Sequence, residues 1–319
     1  MIDRVVALVV TYNRKELLVE CLRALLNQWH SLEKILVIDN ASTDGTQELL
    51  AETGLLAERL ILYRRLPENL GGAGGFELGM RWAYEQLEWD WIWLMDDDSI
   101  CTVNALKELL DASEALASWK PTLLASRVLF WDNGQEPCNV PRFRFNRPWG
   151  NGEPTARAYA AAEAGCIPIR NASFVAPLIR RSAVARYGFP NGGFFLLLDD
   201  IEYTGRILKE EFGVSVPRSL VYHKTKRAAL AHEVAPGYFF FDLRNTLWTI
   251  RLSKAYYASE KLSFAGYTAL TAIRFLLHRR FSKDAMKAAG RAALQGLFRK
   301  PPSIQNAGTK TATPETSTH

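Results

Sequence analysis

Long hydrophobic runs are missing from this 319-residue chain. No apolar stretch approaches the ~20 residues needed to cross a bilayer as a helix. Residues 5–10 are apolar, but the chain turns polar at Thr11, which lacks the pattern of a secretory signal. Cysteine is also scarce. The four residues Cys21, Cys101, Cys138 and Cys166 show no C-x-x-C spacing and no zinc-like clustering with histidine. A disulfide scaffold and a zinc module are therefore not expected, and four reduced thiols in a cytoplasmic protein are. Neither sign of charge dominates, the formal net charge being +5, and no nucleic-acid-binding module is visible. Internal repeats are absent too.

What is present is globular composition, with 48% hydrophobic and 23% charged residues. The length suits one large domain with an appendage. The first 130 residues alternate short apolar runs with helical periodicity. Residues 5–10, 35–38, 60–64 and 91–95 read as strands. Helices are expected after Asn13, which could cap the first, near Thr46, after a glycine-rich loop at 71–75, and over 103–117. This order predicts an α/β fold, a mostly parallel sheet flanked by helices, with ligands beyond the carboxyl ends of the strands. Three strand ends carry polar residues that core burial does not require: Thr11-Tyr12-Asn13, Asp39-Asn40 and Asp96-Asp97-Asp98. Residues 131–168 read as a long, irregular insertion. Regular pattern returns at 174–179 and 194–198, followed by a helix after Asp200 and a strand near 214–216. The domain reading is 1–235 for the sheet domain, 236–300 for a basic helical extension and 301–319 for a disordered tail.

Two acidic clusters stand out. Alternation along an extended chain puts Asp96 and Asp98 on one side and Asp97 on the other. Three adjacent carboxylates after a strongly apolar strand repel one another, and a hard divalent cation, Mg²⁺ or Mn²⁺, would relieve this. A solvated acidic turn capping the next helix, through Asp98 or Thr102, reads equally well from these residues alone. The second cluster, Asp199-Asp200-Ile201-Glu202, fits either favourable charge on a helix's first turn or a general base acting on an alcohol. A lone histidine such as His223 is ordinarily structural. The segment from Asn69 to Phe76 is neither a P-loop nor a G-x-G-x-x-G element, but its small residues allow close approach to a phosphate or sugar.

In order, Val-Val-Thr-Tyr-Asn-Arg, Ile-Asp-Asn-Ala-Ser-Thr-Asp-Gly-Thr, Asn-Leu-Gly-Gly-Ala-Gly-Gly-Phe and Leu-Met-Asp-Asp-Asp occupy the first 100 residues. Together they resemble the family 2 glycosyltransferases, whose fold is the Rossmann-like GT-A fold. Phe-Phe-Leu-Leu-Leu-Asp-Asp-Ile-Glu-Tyr, with His223 placed 23 residues after Asp200, resembles the bacterial galactofuranosyltransferases, and rhamnosyltransferases share much of the pattern. The resemblance implies an inverting, metal-dependent transferase using a nucleotide-diphospho-sugar, UDP-galactofuranose or alternatively dTDP-rhamnose, for cell-surface polysaccharide synthesis. It implies Asp96, Asp98 and His223 as ligands of Mn²⁺ or Mg²⁺, and Asp200 as catalytic base. Thr11, Tyr12, Asn13, Asp39, Asp44, Asn69, Gly71, Gly72, Gly74, Gly75 and Asp97 would lie on the donor side, with Asp199 and Glu202 on the acceptor side. Asp97 is expected to tolerate change best of its triplet. The tryptophan-rich acceptor motif of polymerising galactofuranosyltransferases does not precede Asp199, where Asn191-Gly192-Gly193-Phe194-Phe195 stands.

Residues 261–300 hold nine Lys or Arg and one acid, Asp284, interleaved with apolar residues. An amphipathic helix pair on an anionic membrane, near a polyprenol-linked or oligosaccharide acceptor, accounts for this, as would helices packed on the core with a solvated basic face. The aromatic run from Tyr238 to Trp248 could line the acceptor site or a subunit contact. A non-catalytic nucleotide-sugar-binding protein and a nucleotidyltransferase are the rivals from other classes. The first is disfavoured by the set Asp96, Asp98, Asp200 and His223, the second by the missing basic residues in the glycine-rich segment.

Overall fold

The computed structural model describes residues 3–144, 155–225 and 233–304. Its centre is the expected α/β sheet. Strands β1 (Val5–Thr11), β2 (Lys34–Asp39), β3 (Ile61–Arg65) and β4 (Trp91–Asp96) run parallel in the order β3-β2-β1-β4. The short β5 (Ser99–Cys101) follows at once. Beyond β4 the sheet continues through β9 (Pro177–Arg180), β6 (Leu123–Phe130), β10 (Gly213–His223), β8 (Ile167–Asn171) and β7 (Arg142–Phe143). Strand β9 is antiparallel to both neighbours, whereas β6 and β10 are parallel.

Alternation along β1 feeds two cores. Val5, Ala7 and Val9 face one side, where α1 (Lys15–Leu26), α2 (Thr46–Glu52) and α4 (Ala105–Ala115) bury Leu18, Leu22, Leu50, Leu106 and Leu109. Val6, Leu8 and Val10 face the other, covered by α3 (Gly71–Gln86), α6 (Arg181–Tyr187) and α7 (Asp199–Leu208). Every β1 residue is buried, as expected of a central strand covered on both faces.

Four local expectations change. Asn13 does not cap α1. It sits at φ 54°, one residue before the cap position held by Arg14, and its Oδ1 accepts from the Thr43 amide at 2.7 Å. The segment 71–75 is not a loop but the first turns of α3. Glycine is needed there for packing: a Cβ on Gly71, at φ +72°, would lie 2.0 Å from the Phe195 carbonyl oxygen, and one on Gly75 would lie 2.5 Å from Val10 of β1. The regular pattern read over 194–198 corresponds to neither a strand nor an α-helix. A 3-10 turn, Gly192–Phe194, leads into a loop with Phe195, Leu197 and Leu198 all at positive φ. The fourth helix begins at Ala105 with Asn104 in the cap position, so neither Asp98 nor Thr102 caps it.

The insertion contributes β7, α5 (Thr155–Glu163) and the start of β8, and residues 145–154 lie outside the described residues. Three helices, α8 (Pro236–Leu252), α9 (Ala258–His278) and α10 (Lys283–Phe298), make the C-terminal extension, with a small core that includes Phe239 stacked on Phe275. Buried Arg170 of β8 joins it to the sheet, donating to the Gly205 carbonyl at 2.6 Å and the Glu260 carboxylate at 3.1 Å. Of the tail expected over 301–319, residues 301–304 stay ordered against the body, Pro302 and Ile304 lying over Gly193 and Gly192, while 305–319 lie outside the described residues.

Candidate functional site

Register places the polar strand ends together. Thr11 pairs with Asp39, and Val10 with Asp96, so the ends of β1, β2 and β4 share one edge of the sheet. His223 reaches that edge because β5 turns back immediately after the acidic triplet and pairs antiparallel with β10, setting His223 opposite Ser99. The Lys224 amide donates to the Asp98 carbonyl at 2.9 Å, which fixes the crossing. One ligand atom from each of Asp96, Asp98 and His223 then lies within 4.8 Å of the others. His223 Nε2 is 2.8 Å from Asp98 Oδ1.

The cluster is electrostatically stressed. Burial, then the charges of Asp98, Asp97 and Asp200, push the Asp96 carboxyl up to about 7, with His223 partly offsetting them. At Asp98 burial acts in the same upward direction, but the contacts with His223 and Arg14 outweigh it and hold its pKa below the ordinary value. Two carboxylates and an imidazole facing one another, with charge that burial disfavours, fit a hard divalent cation. The other ring nitrogen is already oriented: His223 Nδ1 lies 2.9 Å from Asn139 Oδ1. An amide oxygen only accepts, so Nδ1 donates to Asn139; burial opposes charge on the ring, but Asp98 and Asp96 prevail and raise its pKa, so without a cation Nε2 stays protonated facing Asp98 Oδ1. Asn139 comes from the insertion and sits at φ 48°.

Asp97 lies in the turn after β4, outside the clustered ligand atoms but sharing the Arg14 guanidinium with Asp98. It is buried, accepts from Thr11 Oγ1 at 2.8 Å and from Arg14 Nη1 at 3.3 Å, and burial pushes it up to about 6. Arg14 also reaches Asp98 at 2.8 Å while staying half-exposed. Nothing in the residue pattern singled it out, although it closes the first quoted motif.

Among the residues expected on the donor side, Asp39 is buried and accepts from the Ser42 amide at 2.8 Å and from the Tyr63 hydroxyl. Asp44 accepts from the Lys15 amide at 3.2 Å and the Thr46 hydroxyl at 2.5 Å. Burial opposes its ionisation, but these hydrogen bonds prevail and lower its pKa. Tyr12 is exposed beside them. Asn69 accepts from the Gly71 amide at 2.8 Å. Gly71, Gly74 and Gly75 are consumed by close packing, and Gly72 alone of the four faces open space.

Asp199 and Asp200 open α7 behind the three positive-φ residues. Burial and neighbouring carboxylates raise Asp199 well above its ordinary value. Asp200 is pushed up to about 6, burial prevailing over hydrogen bonds from backbone amides. Glu202 is occupied elsewhere, accepting from Arg206 at 3.2 Å and from Ser253 at 2.6 Å. The preceding loop is held from the C-terminal extension. The fully buried Asn245 donates to the carbonyls of Phe194, Leu196 and Leu197, and Arg244 donates to Phe194 O at 2.7 Å.

Residues 6–118 match the model of the glycosyl transferase family 2. Galactofuranosyltransferase GlfT1 of Mycolicibacterium smegmatis is 30% identical over 225 residues, covering 68% of this chain and 70% of the relative. Abequosyltransferase RfbV of Salmonella typhimurium is 35% identical over 98 residues, 30% of this chain and 28% of its own. Among solved structures, S. aureus TarS 1-349, also solved in complex with UDP-GlcNAc, superposes with a TM-score of 0.58 at 16% identity, covering 92% of this chain and 81% of its own. The mannosyltransferase PcManGT from Pyrobaculum calidifontis, in complex with GDP-Man and Mn²⁺, gives 0.52 at 16% identity, with coverage of 92% and 75%. With the fold, the ordered motifs and a relative matched over two thirds of both chains in agreement, the chain belongs to glycosyltransferase family 2 and is a glycosyltransferase of the GT-A fold.

Proposed function

We propose that this transferase moves galactofuranose from UDP-galactofuranose to a lipid-linked or glycan acceptor, in the synthesis of bacterial cell-surface polysaccharide. The observation that carries this reading is the Asp96, Asp98 and His223 cluster at the sheet edge, electrostatically coupled through Asp96 to a separate carboxylate, Asp200. The galactofuranosyl choice is supported by the likeness to GlfT1. Mn²⁺ or Mg²⁺ held by Asp96, Asp98 and His223 would supply Lewis-acid neutralisation of the diphosphate leaving group. The protein's own groups do the rest. Thr11, Tyr12 and Asn13, with Asp39 and Asp44, line the nucleotide side. Thr11 and Arg14 hold Asp97 so that its neighbours face the cluster. Asp200, raised to about 6, is ionised near neutral pH yet basic enough to accept the proton of an acceptor hydroxyl. That oxygen attacks the anomeric carbon from the face opposite the leaving group, and one displacement inverts the configuration.

A row of exposed apolar side chains on α9 and α10, including Leu262, Ile273, Leu277, Leu294 and Phe298, supports placement on a membrane surface among the basic residues already noted. Among the described residues no helix is long and apolar enough to cross a membrane. Thermal shift with UDP-galactofuranose, dTDP-rhamnose, UDP-glucose and GDP-mannose, followed by transfer assays, tests the donor, because a ligand of the native state raises its melting temperature. Stabilisation and turnover with UDP-galactofuranose are expected. A shift only with dTDP-rhamnose would replace the donor assignment, and binding with no turnover on any acceptor would favour a non-catalytic nucleotide-sugar-binding protein.

A further inference from the structure

A cavity of about 150 Å³ lies between α7, α8 and α9, directly behind the start of the helix that carries Asp200. Leu198 and Ile201, which flank Asp199 and Asp200, form one wall, and Phe239, Leu243, Ile250 and Phe264 form much of the rest. The lining is mostly apolar, yet the described residues do not fill it. One polar group on α8 also lacks what burial normally demands. Thr249 Oγ1 is buried with no hydrogen-bond partner among the described residues. Asp242 lines the same cavity half-buried, and burial raises its pKa. Buried polar groups without partners are rare in native proteins, and a bound molecule is one way to satisfy them. The cavity is not remote from the chemistry. Burial, then the charges of Asp242 and Asp200, raises the pKa of Tyr238, so this exposed ring on α8 senses both carboxylates. On its other side the cavity reaches Tyr267 of α9, an exposed ring in the same outward row as Leu270 and Ile273.

We propose that this cavity is the subsite for the hydrocarbon chain of an amphiphilic acceptor, which enters past Tyr267 and offers Thr249 a hydrogen-bond acceptor from its polar portion. The proposal rests on the reading of the site as a transferase with a lipid-linked acceptor. An unfilled volume whose exposed lining surface is mostly apolar, joining the catalytic helix to the apolar row of α9, favours a chain over a free saccharide.

The test uses the full chain with farnesyl monophosphate as probe and methyl phosphate as its chain-less control, binding being followed by calorimetry. Farnesyl monophosphate should bind about tenfold or more tightly than methyl phosphate, the scale set by burying a few methylenes. Thr246→Phe, which adds volume to the wall, should weaken it about tenfold. UDP binding in the presence of Mn²⁺ should be unchanged by that substitution. Thr268→Phe, from the α9 wall, provides a second blocked variant should the first not fold. Ala269→Ser, on an exposed position of α9 outside the cavity lining, should leave the affinity as it is. Farnesyl binding that survives a folded blocked variant would overturn the assignment, as would tighter binding of dioctanoylphosphatidylglycerol, which would make the cavity a seat for bulk membrane lipid. Loss of nucleotide binding in the native protein would instead count against the transferase reading, so the two failures are distinguishable.

Discussion

Removing the Asn245 amide should damage catalysis more than it damages the fold. The side chain is fully buried, and its two N–H donors are shared among the carbonyls of Phe194, Leu196 and Leu197 at 3.1, 2.7 and 2.9 Å. Each net hydrogen bond is worth about 1 kcal/mol, and stranding a buried carbonyl costs about 1–3 kcal/mol. Asn245→Ala should therefore destabilise by about 2–4 kcal/mol, which a domain of typical stability, about 5–15 kcal/mol, survives. The loop has a reason to move once released. Phe195, Leu197 and Leu198 hold positive φ angles, and such conformations cost roughly 1–3 kcal/mol each at non-glycine residues. Relaxation would displace Asp200, which begins two residues beyond. A misplacement on the order of 1 Å can cost about a hundredfold in rate. Urea denaturation, donor affinity and kcat should be measured together. A kcat reduced by about ten- to a hundredfold with donor affinity preserved is expected. Native kcat in a variant destabilised by the full amount would refute the idea that this latch positions the base.

Asn139→Ala should weaken Mn²⁺ binding by about tenfold or more, the usual effect of losing the partner that orients a histidine ligand, and calorimetry on the apoprotein would read it. Unchanged affinity would mean that His223 is oriented without Asn139. Transfer should be lost as pH falls through about 6, because the raised pKa of Asp200 leaves it protonated, and unable to accept a proton, below that value. A kcat/KM profile flat from pH 5 to about 8 would contradict the base assignment. Gly71→Ala should give a poorly folded or inactive protein, since its Cβ would meet the Phe195 carbonyl in a backbone conformation that alanine disfavours. Near-native melting and turnover would show that α3 and the 194–198 loop can separate.

The parallel half of the sheet was legible because β1, β2 and β4 are unbroken apolar runs that end in polar residues, and burial on both faces writes that pattern directly. Alternation along an extended chain suggested the Asp96 and Asp98 pair, but β4 ends at Asp96, and it is the turn at 97–98 that brings Asp98 back beside it. The glycine segment misled because glycine usually marks a loop, whereas here close packing against Phe195 and Val10 requires it inside a helix. Residues 194–198 misled because hydrophobicity says nothing of φ, and the left-handed turns there are stabilised by Asn245, some fifty residues away. Asn139 and Arg14 could not be found from spacing, since what makes them matter is a contact with His223 or Asp98 set by tertiary register. The asparagine in the irregular insertion carried one signal, a long connection with no periodicity of its own.

Asp200→Asn puts the central claim to the most direct test. The amide keeps the size and most of the hydrogen bonding of the carboxylate but cannot serve as a base. With metal and nucleotide-sugar supplied, the account predicts donor binding at native affinity and transfer reduced by about a hundredfold or more. Near-normal transfer by the folded variant would contradict it.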